Sequence, residues 1–254
     1  MPYPLAAVSV QKHQLQAGAA APTLPDVASA TRLLDLRYTD LSLGAIATWP
    51  DNTSLHHDST QSIPTARPAL VADAGDGKAG VYFNGGFVVQ WLDCGNFADN
   101  LNHFAVIFVA ASDGNNTTDI ISKLNNDASF AGWAVRISAA QSSYLQGETG
   151  FSGITNPNVP DTTFAVRTCE FLSDRTHKHY FINSNNSDEV ETPALIADYS
   201  NNEPVRIGVE GFAGIADFNA FSGWMRNIML YEITDDVNWP TNRAAIEAWL
   251  AAQP

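Results

Sequence analysis

Positive charge is scarce in this sequence: 13 Lys and Arg stand against 27 Asp and Glu in 254 residues, a formal charge of −14. A field of that sign repels phosphate backbones and anionic lipid, so neither nucleic acid nor a membrane is expected as a partner. It suits a β-rich chain that must keep its sheet edges away from those of its copies. Cysteine is nearly absent. Cys94 and Cys169 make no Cys-x-x-Cys pair and no metal spacing, which excludes a thiolate zinc site and a thioredoxin-like redox centre. Two buried free thiols are expected, with a disulfide between them left open. No run approaches the roughly 18 consecutive apolar residues of a membrane span. The start of the chain has no basic n-region, so no signal peptide is expected, and the Asn-x-Ser/Thr matches at Asn52, Asn115, Asn116 and Asn185 read as chance occurrences in polar turns. Gly-x-Ser-x-Gly, a P-loop, a strand-following Gly-x-Gly-x-x-Gly and a Cys–His nucleophile arrangement are all missing, which argues against hydrolase triads and nucleotide enzymes.

Charged residues make up only 16% of the chain, and Asn, Ser, Thr and Gly fill the gap, as many strands joined by turns require. Residues 1–30 are rich in Ala, Pro and Gln with weak alternation, and read as an extended N-terminal arm. From residue 31 to 254 the signal is one all-β domain. Strands are expected at Leu33–Tyr38, His103–Ala111, Ile120–Leu124, Gly132–Ser138, Ser143–Gln146, Thr163–Leu172, Lys178–Asn183, Val205–Val209 and Gly223–Ile233. The stretch Gly80–Asp93 reads as a hairpin around Asn84-Gly85-Gly86. Within 132–138, Trp133, Val135 and Ile137 share one face and Arg136 and Ser138 the other. One helix is expected at about 240–251: Ile246, Trp249 and Leu250 form a stripe, Pro240 suits the first turn, and Arg243 and Glu247 are spaced as a pair. No helical period lies between the strands, so βαβ crossovers are excluded.

Thr48-Trp49-Pro50-Asp51-Asn52-Thr53-Ser54 begins a series of motifs, continued at Arg67–Val71, Val81–Gly86, Phe104–Val109 and Phe221–Tyr231, whose order resembles that of the concanavalin A-like (laminin-G-like) jelly-roll domains found in phage and bacterial proteins. The first of them is similar to the entry motif of that family. Arg67-Pro68-Ala69-Leu70-Val71, then Val81-Tyr82-Phe83-Asn84-Gly85-Gly86, fill its next two strands. Phe104-Ala105-Val106-Ile107-Phe108-Val109, the closing segment Phe221–Tyr231 and the terminal Ala248-Trp249-Leu250 follow in family order. The resemblance covers residues 31–252 and implies a two-sheet antiparallel sandwich; it does not reach the arm. Retaining β-glucanases of this fold carry Glu-x-Asp-x-Glu on one strand, which sets two carboxylates about 5–5.5 Å apart across a glycosidic bond. No such motif occurs here. Glu232 and Asp236 come nearest, but lead into the helix, and Asp188-Glu189-Val190-Glu191 reads as a solvated loop.

The remaining candidates are sparse. His177 and His179 put two imidazoles on one strand face, a spacing that suits a transition metal, with no third ligand in view. The resemblance implies loop calcium sites, for which Asp73 and Asp76, and separately Asp113, are candidates; tight turns use the same residues. For a sugar platform, Trp91, Trp133, Tyr144, Trp224 and Trp239 are available. Trp133 and Trp224 read as buried, and Tyr144 and Trp239 as the better exposed candidates. No catalytic residue is assigned. The family's recurrence in phage particles, together with the apolar arm, implies a non-enzymatic virion structural protein: a capsid decoration (cement) protein or a tail or fibre component. It would form homo-oligomers, and contact other virion proteins, through the arm. The alternative is a carbohydrate-binding module or adhesin that takes a surface glycan, and a glycoside hydrolase is the third reading.

Overall fold

The computed structural model describes residues 23–86, 89–114, 118–124, 132–138, 141–147, 150–154, 162–174, 176–182, 187–192, 201–210 and 220–253. Among them, in chain order, run β1 (Ala30–Arg37), β2 (Gly44–Ala45), β3 (Thr48–Trp49), β4 (Ser59–Thr60), β5 (Ala69–Val71), β6 (Gly80–Phe83), β7 (Leu92–Asp93), β8 (Phe104–Ser112), β9 (Thr118–Leu124), β10 (Gly132–Ser138), β11 (Gln141–Gly147), β12 (Gly150–Ile154), β13 (Ala165–Phe171), β14 (His177–Ile182), β15 (Ser187–Thr192), β16 (Arg206–Ile207) and β17 (Gly223–Ile233). One α-helix, α1 (Trp239–Ala251), follows. All pairings between these strands are antiparallel. One sheet has nine strands, in the order β15-β14-β13-β8-β17-β6-β5-β2, with β1 also beside β17. The other has eight, in the order β12-β11-β10-β9-β16-β7-β4-β3. The two sheets form a sandwich, as the sequence predicts.

Every residue of β8 is buried, and the two faces of the strand serve two different cores. Phe104, Val106, Phe108 and Ala110 fill the space between the sheets with Trp49, Trp133 and Phe171. The rings of Phe104 and Phe171 stack at 4.3 Å. Ala105, Ile107 and Val109 face the other way, into a smaller core that α1 closes with Trp239, Ile246, Trp249 and Leu250. Each such side chain contributes about 1.5–3 kcal/mol when it leaves water. The helix therefore lies on the outside of the nine-stranded sheet and explains why β8 is apolar on both faces. Leu24 and Val27, from the end of the arm, pack into the same core. Ser29 pins that segment: its carbonyl accepts from the amides of Thr234 and Asp235 at 2.9 and 3.0 Å. Residues 1–22 lie outside the described residues.

The expected hairpin over 80–93 is corrected. Its two strands, β6 and β7, belong to different sheets, so the chain crosses the sandwich between them instead of turning back. Asn84-Gly85-Gly86 starts that crossing, with the Gln90 side-chain oxygen accepting from the Asn84 amide at 2.7 Å. Both cysteines are free and buried. Cys94 sits 2.9 Å from the Ser59 hydroxyl, and burial pushes its thiol up to about 12.

Candidate ligand-binding face

The eight-stranded sheet has an inner row and an outer row that alternate across it. Leu92, Ile207, Ile121 and Val135 lie in register across β7, β16, β9 and β10 and belong to the inter-sheet core. The next row in register, Thr60, Asp93, Arg206, Ser122 and Ala134, lies on the outer face. A bulge in β9 near Ile120 then brings Asp119 opposite Arg136 in a second outer row. An outer face of an antiparallel sheet is ordinarily polar and wet. Here its charged centre is buried, with Asp119 and Ser122 0% exposed, Arg136 3%, Glu210 3% and Arg206 4%, while Thr60 is exposed and Trp91 and Asp93 are half-buried at the β4–β7 side.

Arg136 holds the second row together. Its Nε donates to Asp119 Oδ1, and its Nη2 lies 3.0 Å from Glu210 Oε1. Burial pushes the Asp119 carboxyl up to about 7; Arg136 opposes that shift and Glu210 adds to it. Asp119 Oδ2 is buried without a hydrogen-bond partner. The sign of the consequence is clear. Between the unfolded carboxyl value near 3.8 and about 7, the folded state keeps a proton that the unfolded state releases. Stability therefore falls as pH rises through that window. Denaturant unfolding at pH values of about 4.5 and 6.5 is expected to show a loss on the order of 2 kcal/mol, which Asp119→Asn flattens.

Arg206 is the more unusual residue. Its Nε stands 4.0 Å from Asp93 Oδ2 and its Nη1 3.7 Å from Glu203 Oε2, and neither nitrogen makes a hydrogen bond. Its guanidinium lies over the half-buried ring of Trp91, 6.0 Å from the centroid. Burial lowers its pKa against the pull of Asp93 and Glu203. Nearby Lys123 shows the contrasting case, a sealed cation fully served: its Nζ donates to Asn96 Oδ1 and the Glu203 carbonyl, both at 2.6 Å, and pairs with Asp99 at 3.0 Å.

The candidates from sequence fall elsewhere. Trp239 is corrected: it is 1% exposed, 5.7 Å from the Tyr231 ring under α1, and is no platform. Tyr144 is paired in β11 with Arg136, but its side chain lies outside the described residues, as do those of His177 and His179 in β14. Trp133 is buried as expected, while Trp224 is only half-buried beside Tyr82. Asp73 Oδ1 already accepts from the amides of Gly75 and Gly77 at 2.8 and 2.9 Å, and Asp76 is tied to Arg226. Asp113 accepts from the Ser222 hydroxyl. Among the described residues no three carboxylates, imidazoles or thiols gather as a metal site. Asp236 accepts from His103 Nδ1 at 2.7 Å, and His103 Nε2 meets Glu170 at 2.7 Å. In the sequence Trp91 is one of several available aromatics, and Asp119, Arg206 and Glu210 belong to no motif. The available signal was a charged residue set inside an apolar strand, as in Val205-Arg206-Ile207 and Val135-Arg136-Ile137.

No protein-family model matches the chain, and no curated protein matches it in sequence. Solved structures do. The binding domain of Paraclostridial Mosquitocidal Protein 1 is 10% identical over 86% of this chain, with a TM-score of 0.55, and the chain spans 51% of that protein. Domain 4 of an extracellular arabinanase from Geobacillus stearothermophilus, in complex with arabinotriose, is 12% identical over 86% of this chain and 99% of its own length, with a TM-score of 0.53. An α-L-arabinofuranosidase with a cyclic sulfate inhibitor is 10% identical over 88% of this chain and 60% of its own length, with a TM-score of 0.58. At these identities the likeness is one of fold, the two-sheet β-sandwich.

Proposed function

We propose that this protein binds carbohydrate without cleaving it, on the outer face of the eight-stranded sheet around Trp91 and Arg206. The observation that carries the reading is Arg206, a guanidinium 4% exposed whose Nε and Nη1 have no hydrogen-bond partner, set against an aromatic ring. A buried guanidinium held only by carboxylates 3.7 and 4.0 Å away keeps donors that a hydroxyl can take once the side chain turns outward beside Trp91. Sugar hydroxyls supply acceptors, and the C–H face of a sugar ring packs on an indole. Asp93, 34% exposed, adds an acceptor on the same row. The similar arabinanase domain was solved with arabinotriose, and a sandwich of this size suits the same kind of work. The virion role expected from the sequence resemblance draws no support from the fold or from these structures.

Hydrolysis has one observation in its favour: two carboxylates, Asp119 and Glu210, lie against the same guanidinium, that of Arg136. Both are sealed, at 0% and 3% exposure, and turned onto the guanidinium, which makes them a rigid support for the face and not a reaction centre.

A glycan array that includes arabino-oligosaccharides, followed by affinity gel electrophoresis, tests the proposal. Specific retention is expected, weakened about 10- to 100-fold by Trp91→Ala in a protein with an unchanged circular dichroism spectrum. Retention that Trp91→Ala and Arg206→Met leave untouched, or no retention on any glycan, sinks it.

A further inference from the structure

A second concavity lies on the far side of the sandwich, outside the nine-stranded sheet, and owes nothing to the face around Trp91. It encloses about 630 Å³ between β1, β17, the end of α1 and residues 23–27. That volume suits one or two sugar rings. The bulge in β17 near Arg226 puts Asn227 into its wall, in register with Arg37 of β1 and Val109 of β8. Asn227 is 3% exposed, and its side-chain amide makes no hydrogen bond among the described residues. Asn is a poor strand former, so its place in the middle of a long central strand has no local explanation. On one side of it the Arg37 guanidinium lies 5.0 Å over the Trp249 ring. On the other, Leu24 and Val27 supply an apolar wall.

The charges here are balanced. Arg37 grips Asp35 through Nε and Nη2 at 2.9 and 2.6 Å, Arg32 reaches the same carboxylate at 3.0 Å, and Asp26 stands at the lining. Two cations against two anions leave no net charge to select an ion. What the site offers is an idle amide, both donor and acceptor, beside an aromatic ring and an apolar wall. We infer that this pocket is a second ligand site, specific for a neutral polyhydroxylated ligand of one or two sugar rings, with the Asn227 amide as its central hydrogen-bonding group.

The test uses the full chain carrying Trp91→Ala, so that failure of the face on the other sheet cannot mask or mimic the result. Saturation-transfer NMR is run with methyl α-L-arabinofuranoside and methyl β-D-glucopyranoside. Transfer to at least one probe is expected, with affinity falling about tenfold when Asn227→Ala is added, the worth of a hydrogen bond between neutral groups. In wild-type protein labelled with ¹⁵N-asparagine, the Asn227 side-chain amide resonance is expected to move on adding the same probe, a readout that holds even if the variant folds poorly. No transfer to either probe, or transfer with the Asn227 resonance unmoved, overturns the inference.

Discussion

Arg136→Met is expected to cost the domain about 3–5 kcal/mol and, near neutral pH, to leave a large unfolded fraction. The guanidinium is the shared counter-charge of two sealed carboxylates, Asp119 and Glu210. Methionine keeps the volume but leaves both acids without their cation in a site that water does not reach. The burial cost that already pushes Asp119 up to about 7 then goes unopposed, and its proton is held more tightly still. The loss should therefore be smaller at low pH, where Asp119 carries its proton, and greatest above about 7. The triple change Arg136→Met, Asp119→Leu, Glu210→Leu is expected to recover much of the stability, because a buried ionic group replaced as a whole by apolar side chains is often neutral. Urea unfolding of the three proteins at two pH values checks both statements. A single-variant loss under about 1 kcal/mol would mean that the row is solvated after all.

Gly223→Ala is the second large effect, expected at about 3 kcal/mol or more. Gly223 opens β17 at the point where that strand meets β8 on one side and β6 on the other, paired with Ser112 and Phe83. Its φ is +147°, a region open to glycine and closed to L side chains. A methyl there would run into the carbonyl oxygen of Ala111, stand 2.8 Å from the Ser112 Cα and 2.9 Å from the Phe221 ring. The first two obstacles are backbone of a fully buried central strand, so they cannot yield cheaply. Thermal unfolding should drop by many degrees, whereas Gly95→Ala, also at positive φ but with open space around it, should lose only the conformational part.

Long strands and the helix were legible in the residues because their periods are long. Gly132–Ser138 and Gly223–Ile233 stand where the alternation puts them, and the Ile246, Trp249 and Leu250 stripe faces the core it implies. The two-residue strands β3, β4 and β7 leave no period to detect, yet β4, β7 and the short β16 carry three of the five residues of the outer row around Arg206. The Asn84-Gly85-Gly86 signal is local and says that the chain turns, not whether it turns back or crosses to the other sheet. Trp239 misled for a related reason: nothing next to it in sequence shows that Tyr231, eight positions earlier in the chain, supplies a ring against which it is buried. The row Asp119, Arg136 and Glu210 depends on pairing between segments far apart in sequence, with a bulge that resets the register. Single charged residues in apolar strands were the visible trace, and they carry no information about each other until the sheet is assembled.

The central claim is that the eight-stranded sheet presents its outer face to glycan. Backbone and indole ¹⁵N chemical shifts of the intact protein, titrated with the oligosaccharide it retains best, test that most directly. The account expects the moving resonances to gather on the Trp91 indole and on the amides of Asp93, Arg206 and Ser122. Shifts confined to other surfaces, with those four unmoved at saturation, would contradict it.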